Sequence, residues 1–320
     1  MKPAVSVIMP TYNRADYLKQ SVQSILDQTF NDFEIIIINN YSTDDTLEVI
    51  SAFNDDRIKV INFKNDGIIA KSRNQGIMQS AGKYIAFLDD DDLWCPDKLE
   101  LQMKYLDKHS EFVLVYSNAL IIDEHGNKNG LLKNSKDAKT GQVFLDLLYE
   151  NFIPVLTVLM KREIIETNGL FNEDPSMRAA EDYEYWLRAS LKFNFGYIDK
   201  ALTLYRIHIE SVSMAINRPL LRQKTLRSFM LYPEVPEKYS KNIAYNIERL
   251  NSDISVYYWS ISDKINARVF AKKYLIFNLK NIHLLNAAAG FILYVIINFD
   301  YDTFEGLVKY ISCMRKHTNL

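Results

Sequence analysis

The segment FLDDDDLW, residues 87–94, sets four consecutive carboxylates between the apolar run Ala86, Phe87, Leu88 and the pair Leu93, Trp94. Charge of that density at the end of a buried run costs folding energy unless a cation or a set of donors neutralises it. A hard divalent cation takes carboxylate oxygens, so a cation is the first reading. Capping a helix takes one or two acids rather than four. A second acidic stretch, AAEDYEYWLRA at residues 179–189, opens a helical pattern, where its acids suit the helix dipole. Asp182, Tyr185 and Trp186 fall at i, i+3 and i+4 and so share one side of such a helix, a carboxylate beside an aromatic surface.

The elements that would carry these groups follow from hydrophobic period. VSVIM (5–9), FEIIIIN (33–39), RIKVINF (57–63) and KYIAFL (83–88) read as strands, the second as a continuous apolar run typical of a strand covered on both faces. Helical patterns separate them: 15–28, 42–53 with Ser42 or Thr43 as cap, and 67–81. Four strand–helix alternations imply right-handed crossovers, a mostly parallel sheet, and a ligand site beyond the carboxyl ends of the strands. Those ends are residues 10–13, 39–42, 62–66 and 89–92, which are expected to meet at one rim. Further on, a helix is expected at 96–109, strands over 112–130 closed by a Gly-Asn turn, helices at 141–151 and 179–193 flanking a strand at 155–160, and a strand over 203–213 that breaks into a loop. After Pro219 the pattern becomes all-helical, and Ile243, Ile247, Leu250, Ile254, Tyr257 and Tyr258 line one face of a helix over 243–261. The boundary is placed near 218.

The chain has 320 residues, 48% hydrophobic and 24% charged, with a formal charge of −2, which argues against a dedicated nucleic-acid binder. Charge is unevenly spread: from residue 218 onward there are 15 Lys plus Arg against 8 Asp plus Glu, leaving 23 against 32 before it. Cys95 and Cys313 give neither a disulfide framework nor metal-ligand spacing, which fits a reducing compartment. The apolar run at residues 287–297 falls short of the roughly 20 residues that cross a bilayer. The N-terminus reads as a strand rather than a secretory leader.

Taken together, VSVIMPTYNRADYLKQSVQSILDQTFNDFEIIIINNYSTDDT, SRNQG, GKYIAFLDDDDLWCPDKL and, more weakly, AAEDYEYWLR and LYRIHIESVS resemble the family-two nucleotide-sugar glycosyltransferases. The resemblance covers roughly residues 4–213. It implies the GT-A fold, a Rossmann-like mostly parallel sheet with flanking helices, followed here by a C-terminal helical region: a catalytic domain over 1–218 and an α-helical region over 219–320. In that family the aspartate cluster is the DXD motif, which holds Mn2+ or Mg2+ against the nucleotide diphosphate. Asp91 and Asp89 correspond to metal ligands, Asp90 lies near the ribose or metal, and Asp92 reads as a helix cap before Pro96. Pro10, Thr11 and Tyr12 match the nucleobase platform, with Tyr12 stacking on the base. Asn39-Asn40-Tyr41 departs from the family's aspartate pair; Asn39 can still accept the imide proton of uracil, through a weaker uncharged bond, and Tyr41 can cover the base. Arg73 matches an arginine near the diphosphate, with Lys71 as a lesser candidate. Asp182 matches the base that deprotonates the acceptor hydroxyl, Glu181 is its neighbour and backup, and Tyr185 with Trp186 would face the acceptor sugar. His208 sits in a segment that closes over the donor and touches the diphosphate or metal, with Arg206 beside it. Trp94 packs beneath.

The resemblance implies an inverting, metal-dependent transfer from a UDP-sugar to a saccharide or lipid-linked saccharide acceptor in surface polysaccharide synthesis such as capsule or O-antigen. A cytoplasmic enzyme is expected, with peripheral membrane contact through Lys264, Arg268, Lys272 and Lys273, or a homodimer through the same helices. Two alternatives stand beside it. Loss of the aspartate pair at 39–40 would suit a catalytically inactive sugar-nucleotide-binding protein. Residues 89–93 also approximate the DXDX(T/V) nucleophile motif of aspartyl-phosphate phosphatases, although Leu93 stands at its fifth place and the motif ends the fourth strand rather than the first. A dinucleotide-binding dehydrogenase is excluded by the lack of any GxGxxG.

Overall fold

The structure, a computed structural model, describes residues 2–132, 139–208, 217–281 and 284–296. The chain divides into two compact units, Met1–Met214 and Ala215–Leu320. Cys313, the loop expected after 208 and the end of the apolar run at 297 lie outside the described residues.

The first unit begins β1 (Val5–Thr11), α1 (Ala15–Leu26), β2 (Phe33–Asn39), α2 (Thr46–Ser51), β3 (Ile58–Asn62), α3 (Ile69–Gln79) and β4 (Tyr84–Phe87). These four strands run parallel in the order β3-β2-β1-β4. Every residue of β1, β2 and β4 is buried, as continuous apolar runs require of strands covered on both faces. Each of the fully buried isoleucines at 35, 36, 37 and 38 contributes about 1.5–3 kcal/mol of burial free energy. The register pairs Thr11 with Asn39 and Asn39 with Asn62, so three strands end flush. β4 stops sooner: its last residue, Phe87, pairs with Ile8. The residues after it therefore turn across the carboxyl end of β1.

Beyond β4 come β5 (Leu93–Trp94), α4 (Lys98–Lys108), β6 (Phe112–Ile122), β7 (Lys128–Leu131), α5 (Phe144–Tyr149), β8 (Leu159–Lys161), α6 (Glu163–Asn168), α7 (Glu181–Ser190) and β9 (Asn194–Arg206). Here the sheet becomes mixed. β8 inserts antiparallel between β4 and β6, β9 lies parallel to β6, and β5 and β7 pair antiparallel with β9 and β6. The strand expected over 155–160 is half a 3₁₀ turn, Val155–Thr157, because Pro154 leads into it and the Thr157 N–H returns to the Pro154 carbonyl at 3.0 Å.

The second unit holds α8 (Arg218–Phe229), α9 (Ser240–Ser260), α10 (Lys264–Lys280) and α11 (Leu284–Ile296). α9 buries Ile243, Ile247, Leu250 and Ile254 as its period requires, but ends on buried Trp259, with Tyr257 and Tyr258 only half-buried. α10 packs Ala267 and Ala271 against it, where the Ser255 hydroxyl donates to the Ala267 carbonyl at 2.7 Å. Among the described residues no helix is long and apolar enough to cross a membrane.

Candidate active site

The four carboxyl-end loops are bonded to one another. The Asn40 N–H donates to the Thr11 carbonyl (3.0 Å), the Asn13 N–H to Ser42 Oγ (2.9 Å), the Thr43 N–H to Asn13 Oδ1 (2.7 Å), the Asn65 N–H to Asn40 Oδ1 (3.0 Å), and the Tyr12 N–H to Asp90 Oδ2 (3.2 Å). Pro10 and Thr11 are buried in β1, whereas Tyr12 and Tyr41 stand 54% and 59% exposed on adjacent loops of the rim. Asn39 is buried and committed to the loop itself: its amide donates to Asn62 Oδ1 (2.7 Å) and its oxygen accepts the Ser42 N–H (3.1 Å). The expected free acceptor for a base is therefore a lock between β2, β3 and the loop carrying Tyr41.

The chain itself supplies donors to all four aspartates, with Arg14 serving two of them. Both oxygens of Asp89 accept from Arg73 Nη2, at 2.9 and 3.1 Å. Asp90, buried, accepts from Arg14 Nη1 at 3.2 Å; burial and the Asp91 charge push its carboxyl up to about 7 against the pull of Arg14. Asp91 Oδ2 binds the Arg14 guanidinium and lies 3.0 Å from His208 Nε2. Asp92 is not a helix cap: fully enclosed, its Oδ1 accepts the Arg206 N–H at 2.8 Å, and burial raises its carboxyl well above the usual range. The Ser21 hydroxyl, on α1, lies 2.9 and 2.7 Å from the carbonyls of Asp90 and Asp92. Arg206 fastens the same turn from β9, donating from Nε to the Asp91 carbonyl (2.7 Å), from Nη1 to the Glu124 carbonyl (3.1 Å) and from Nη2 to Gln20 Oε1 (3.0 Å).

Arg73 joins this turn to the second acidic stretch. Its buried guanidinium binds Asp89 on one side and Glu181 Oε1 on the other. Burial works against its charge, but Asp89, Glu181 and Asp182 hold it protonated and raise its pKa. α3 reaches this depth because Gly76 lies against β1, where an added Cβ would come 2.5 Å from Ile8 Cγ2. That contact gives the SRNQG motif a physical reason. Asn74 then ties α3 to the chain leading into α7, exchanging bonds with the Phe171 carbonyl and N–H, both at 2.9 Å. Ala179, two residues before α7, sits at φ 63, a left-handed conformation that alanine adopts at a cost.

Asp182 is half-buried, and its Oδ1 accepts the Tyr183 N–H at 2.6 Å. Burial and the neighbouring Glu181 charge push its carboxyl up to about 7, against the pull of Arg73. Tyr185 and Trp186 do not face the site. Both are 0% exposed; the Tyr185 ring centroid lies 4.4 Å from that of Phe171, and Trp186 Nε1 donates to the Ile153 carbonyl at 3.1 Å. The spacing put them on one side of α7, and that side is the core. Lys71 pairs with Asp66 at 2.8 Å on the surface, and Trp94 is buried, donating to the Leu156 carbonyl.

Asp91 and His208 supply a carboxylate oxygen and an imidazole nitrogen at one point. This donor pair fits a Mn2+ or Mg2+ ion whose other places come from phosphate and water. Asp89 does not join them, since Arg73 takes both its oxygens, and among the described residues no three His, Cys, Asp or Glu side chains converge. Arg14, absent from the expected site, is the residue that sequence reasoning missed; its only signal was its place one turn beyond the rim of β1.

Comparisons with known proteins place the chain in a family. The family described as Glycosyl transferase family 2 matches residues 6–169, half of the chain. The chain belongs to this family. A Bacillus subtilis family relative, described as a putative teichuronic acid biosynthesis glycosyltransferase TuaG, is 32% identical over 215 residues, 66% of this chain and 82% of its own. An uncharacterized glycosyltransferase of Rickettsia bellii is 39% identical over 204 residues; the match takes in 63% of this chain but 29% of that longer protein. Among solved structures, S. aureus TarS 1-349 in complex with UDP-GlcNAc superposes with a TM-score of 0.68 at 21% identity, covering 92% of this chain and 91% of that one. The Pyrobaculum calidifontis mannosyltransferase PcManGT, in complex with GDP-Man and Mn2+, gives 0.59 at 17%, covering 93% and 82%. The family 2 chain thus has the mixed α/β GT-A architecture of these neighbours, with C-terminal helices.

Proposed function

We propose that the protein is a metal-dependent, inverting glycosyltransferase that moves a sugar from a UDP-sugar to a saccharide, free or lipid-linked, in the synthesis of a surface polysaccharide. The observation that carries this reading is the buried Arg73, which binds an acid of the donor-side turn and an acid of the Glu181–Asp182 pair at once. It sets a potential base next to the place where a diphosphate would leave. In this reading Tyr12 stacks on the base, Tyr41 covers it, and Asp90 holds the Tyr12 backbone in place. Asp91 and His208 would hold the divalent cation, with Arg14 yielding Asp91 to it. When bound, the cation offsets negative charge on the leaving diphosphate. Arg73 offsets the charge of Asp89 and Glu181 beside the place of the diphosphate.

Asp182 takes the proton of the acceptor hydroxyl as that oxygen attacks the anomeric carbon from the face opposite the diphosphate. The carbon–oxygen bond to the diphosphate breaks, and the configuration inverts. A carboxylate whose pKa stands near 7 is well matched to that transfer. The UDP-GlcNAc complex of TarS supports a uridine donor and the GDP-Man and Mn2+ complex of PcManGT a metal; TuaG, described as acting in teichuronic acid biosynthesis, supports a polysaccharide context. The second unit is read as the part that brings a cytoplasmic enzyme to its acceptor, by peripheral contact with a membrane rather than by pairing with a second copy. Incubation with UDP-sugars and Mn2+ tests the whole. Slow release of UDP from one of them is expected, whereas tight binding with no release would make the protein an inert sugar-nucleotide-binding module.

A further inference from the structure

Among the described helices α10 carries the largest excess of positive charge. Residues 264–280 include five cations, Lys264, Arg268, Lys272, Lys273 and Lys280, and no acid. One side of the helix is packed, with Ala267, Ala271, Tyr274 and Asn278 buried. The other exposes four aliphatic side chains: Ile265 (78%), Leu279 (57%), Val269 (43%) and Ile276 (40%). At about 100° per residue these four form a stripe about 80° wide. Lys264 and Arg268 border it on one side, Lys273 and Lys280 on the other, and Lys272 rises within it; all five are exposed. A solvated helix face has no reason to gather its aliphatics between rows of cations, and a face meant for a protein core has no reason to keep the cations.

We propose that this face of α10 docks on an anionic lipid bilayer. The aliphatic stripe enters the headgroup boundary while the long stems of the flanking lysines and arginine carry their charges up to lipid phosphates. The uncharged α11, which exposes Phe291 and Ile292, adds apolar surface in the same unit. The inference rests on the reading of the second unit as a membrane-contacting part. It commits to lipid, because the unopposed positive charge complements a phosphate-rich surface, while a second copy of the chain would set five cations against five.

The test is flotation of the full chain with vesicles of phosphatidylglycerol mixed equally with phosphatidylcholine, and with phosphatidylcholine alone. Binding to the anionic vesicles only, weakened by salt, is expected. Lys272→Glu combined with Lys273→Glu should lower it by about tenfold or more, since each lysine is worth about fivefold. Ile265→Gln with Leu279→Gln should remove the part that survives high salt. The variants should keep wild-type melting temperature and UDP release from the donor, which reads the first unit independently of lipid. No binding by the wild-type chain overturns the proposal, whether the face is then covered by a second copy, detected as a dimer lost in the charge-reversed variant, or by residues 297–320. Equal binding to neutral vesicles overturns it as well.

Discussion

The two acidic clusters of the first unit are solved in different ways. In the turn at 89–92, Asp89 is held by Arg73, Asp90 and Asp91 share Arg14 with His208 beside Asp91, and Asp92 accepts the Arg206 backbone N–H. At 181–182 two carboxylates share the far side of one arginine; Glu181 takes it, and Asp182 is left with burial, a like charge beside it and a pKa of about 7. Asp90 in the first cluster is also pushed up to about 7, but it is tied to the Arg14 guanidinium and the Tyr12 N–H, which suits holding the turn in place. Among the described residues Asp182 has no arginine bonded to it, and a group that titrates near the working pH without such a tie can exchange a proton at little cost.

The sharpest way to break this contrast is Asp182→Asn. It should leave UDP affinity unchanged and lower transfer by about 10²–10⁴-fold, the usual worth of a positioned base; full transfer by the variant in a steady-state assay would end the distinction. Titration offers a gentler probe. Below about pH 7 Asp182 gains its proton, so kcat/KM should fall about tenfold per unit and level off above it, a break missing from the residual activity of Asp182→Asn. The sign for stability runs the other way. A carboxyl whose folded pKa is raised binds its proton more tightly in the native state, so the Asp182 contribution is full at low pH and is lost as pH rises from about 4 to about 7. Asp182→Asn should flatten that slope in urea melts. The smallest effect belongs to the scaffold: Gly76→Ala presses a methyl on Ile8 and should cost about 1–3 kcal/mol of stability, with weaker UDP binding from displaced Arg73 that Asp182→Asn does not show.

Residues differ in how plainly the sequence announces their place. β1, β2 and β4 were legible because a parallel strand buried on both faces is an apolar run, β3 at the sheet edge only from its place in the strand–helix alternation, and the flush ends of β1 to β3 set where their loops meet. The mixed half of the sheet was not, since antiparallel insertion of β8 between β4 and β6 depends on pairings far apart in sequence. Tyr185 and Trp186 show the limit of helical spacing: i, i+3 and i+4 state that side chains share a side, never whether that side meets solvent or Phe171. Asn39 shows another, because an amide offers a donor as well as an acceptor and the neighbouring Asn62 and Ser42 claim both. Arg14 was missed because its partners lie 76 and 77 residues away, so only its place just beyond β1 pointed to it.

Calorimetric titration of UDP into the wild-type chain and into Asp91→Asn, each with and without Mn2+, tests most directly whether the acid turn and His208 form a metal-assisted diphosphate site. The account predicts that Mn2+ tightens UDP binding by about tenfold or more in the wild type and has no effect in the variant. UDP bound equally well by both proteins, with or without the metal, would contradict it.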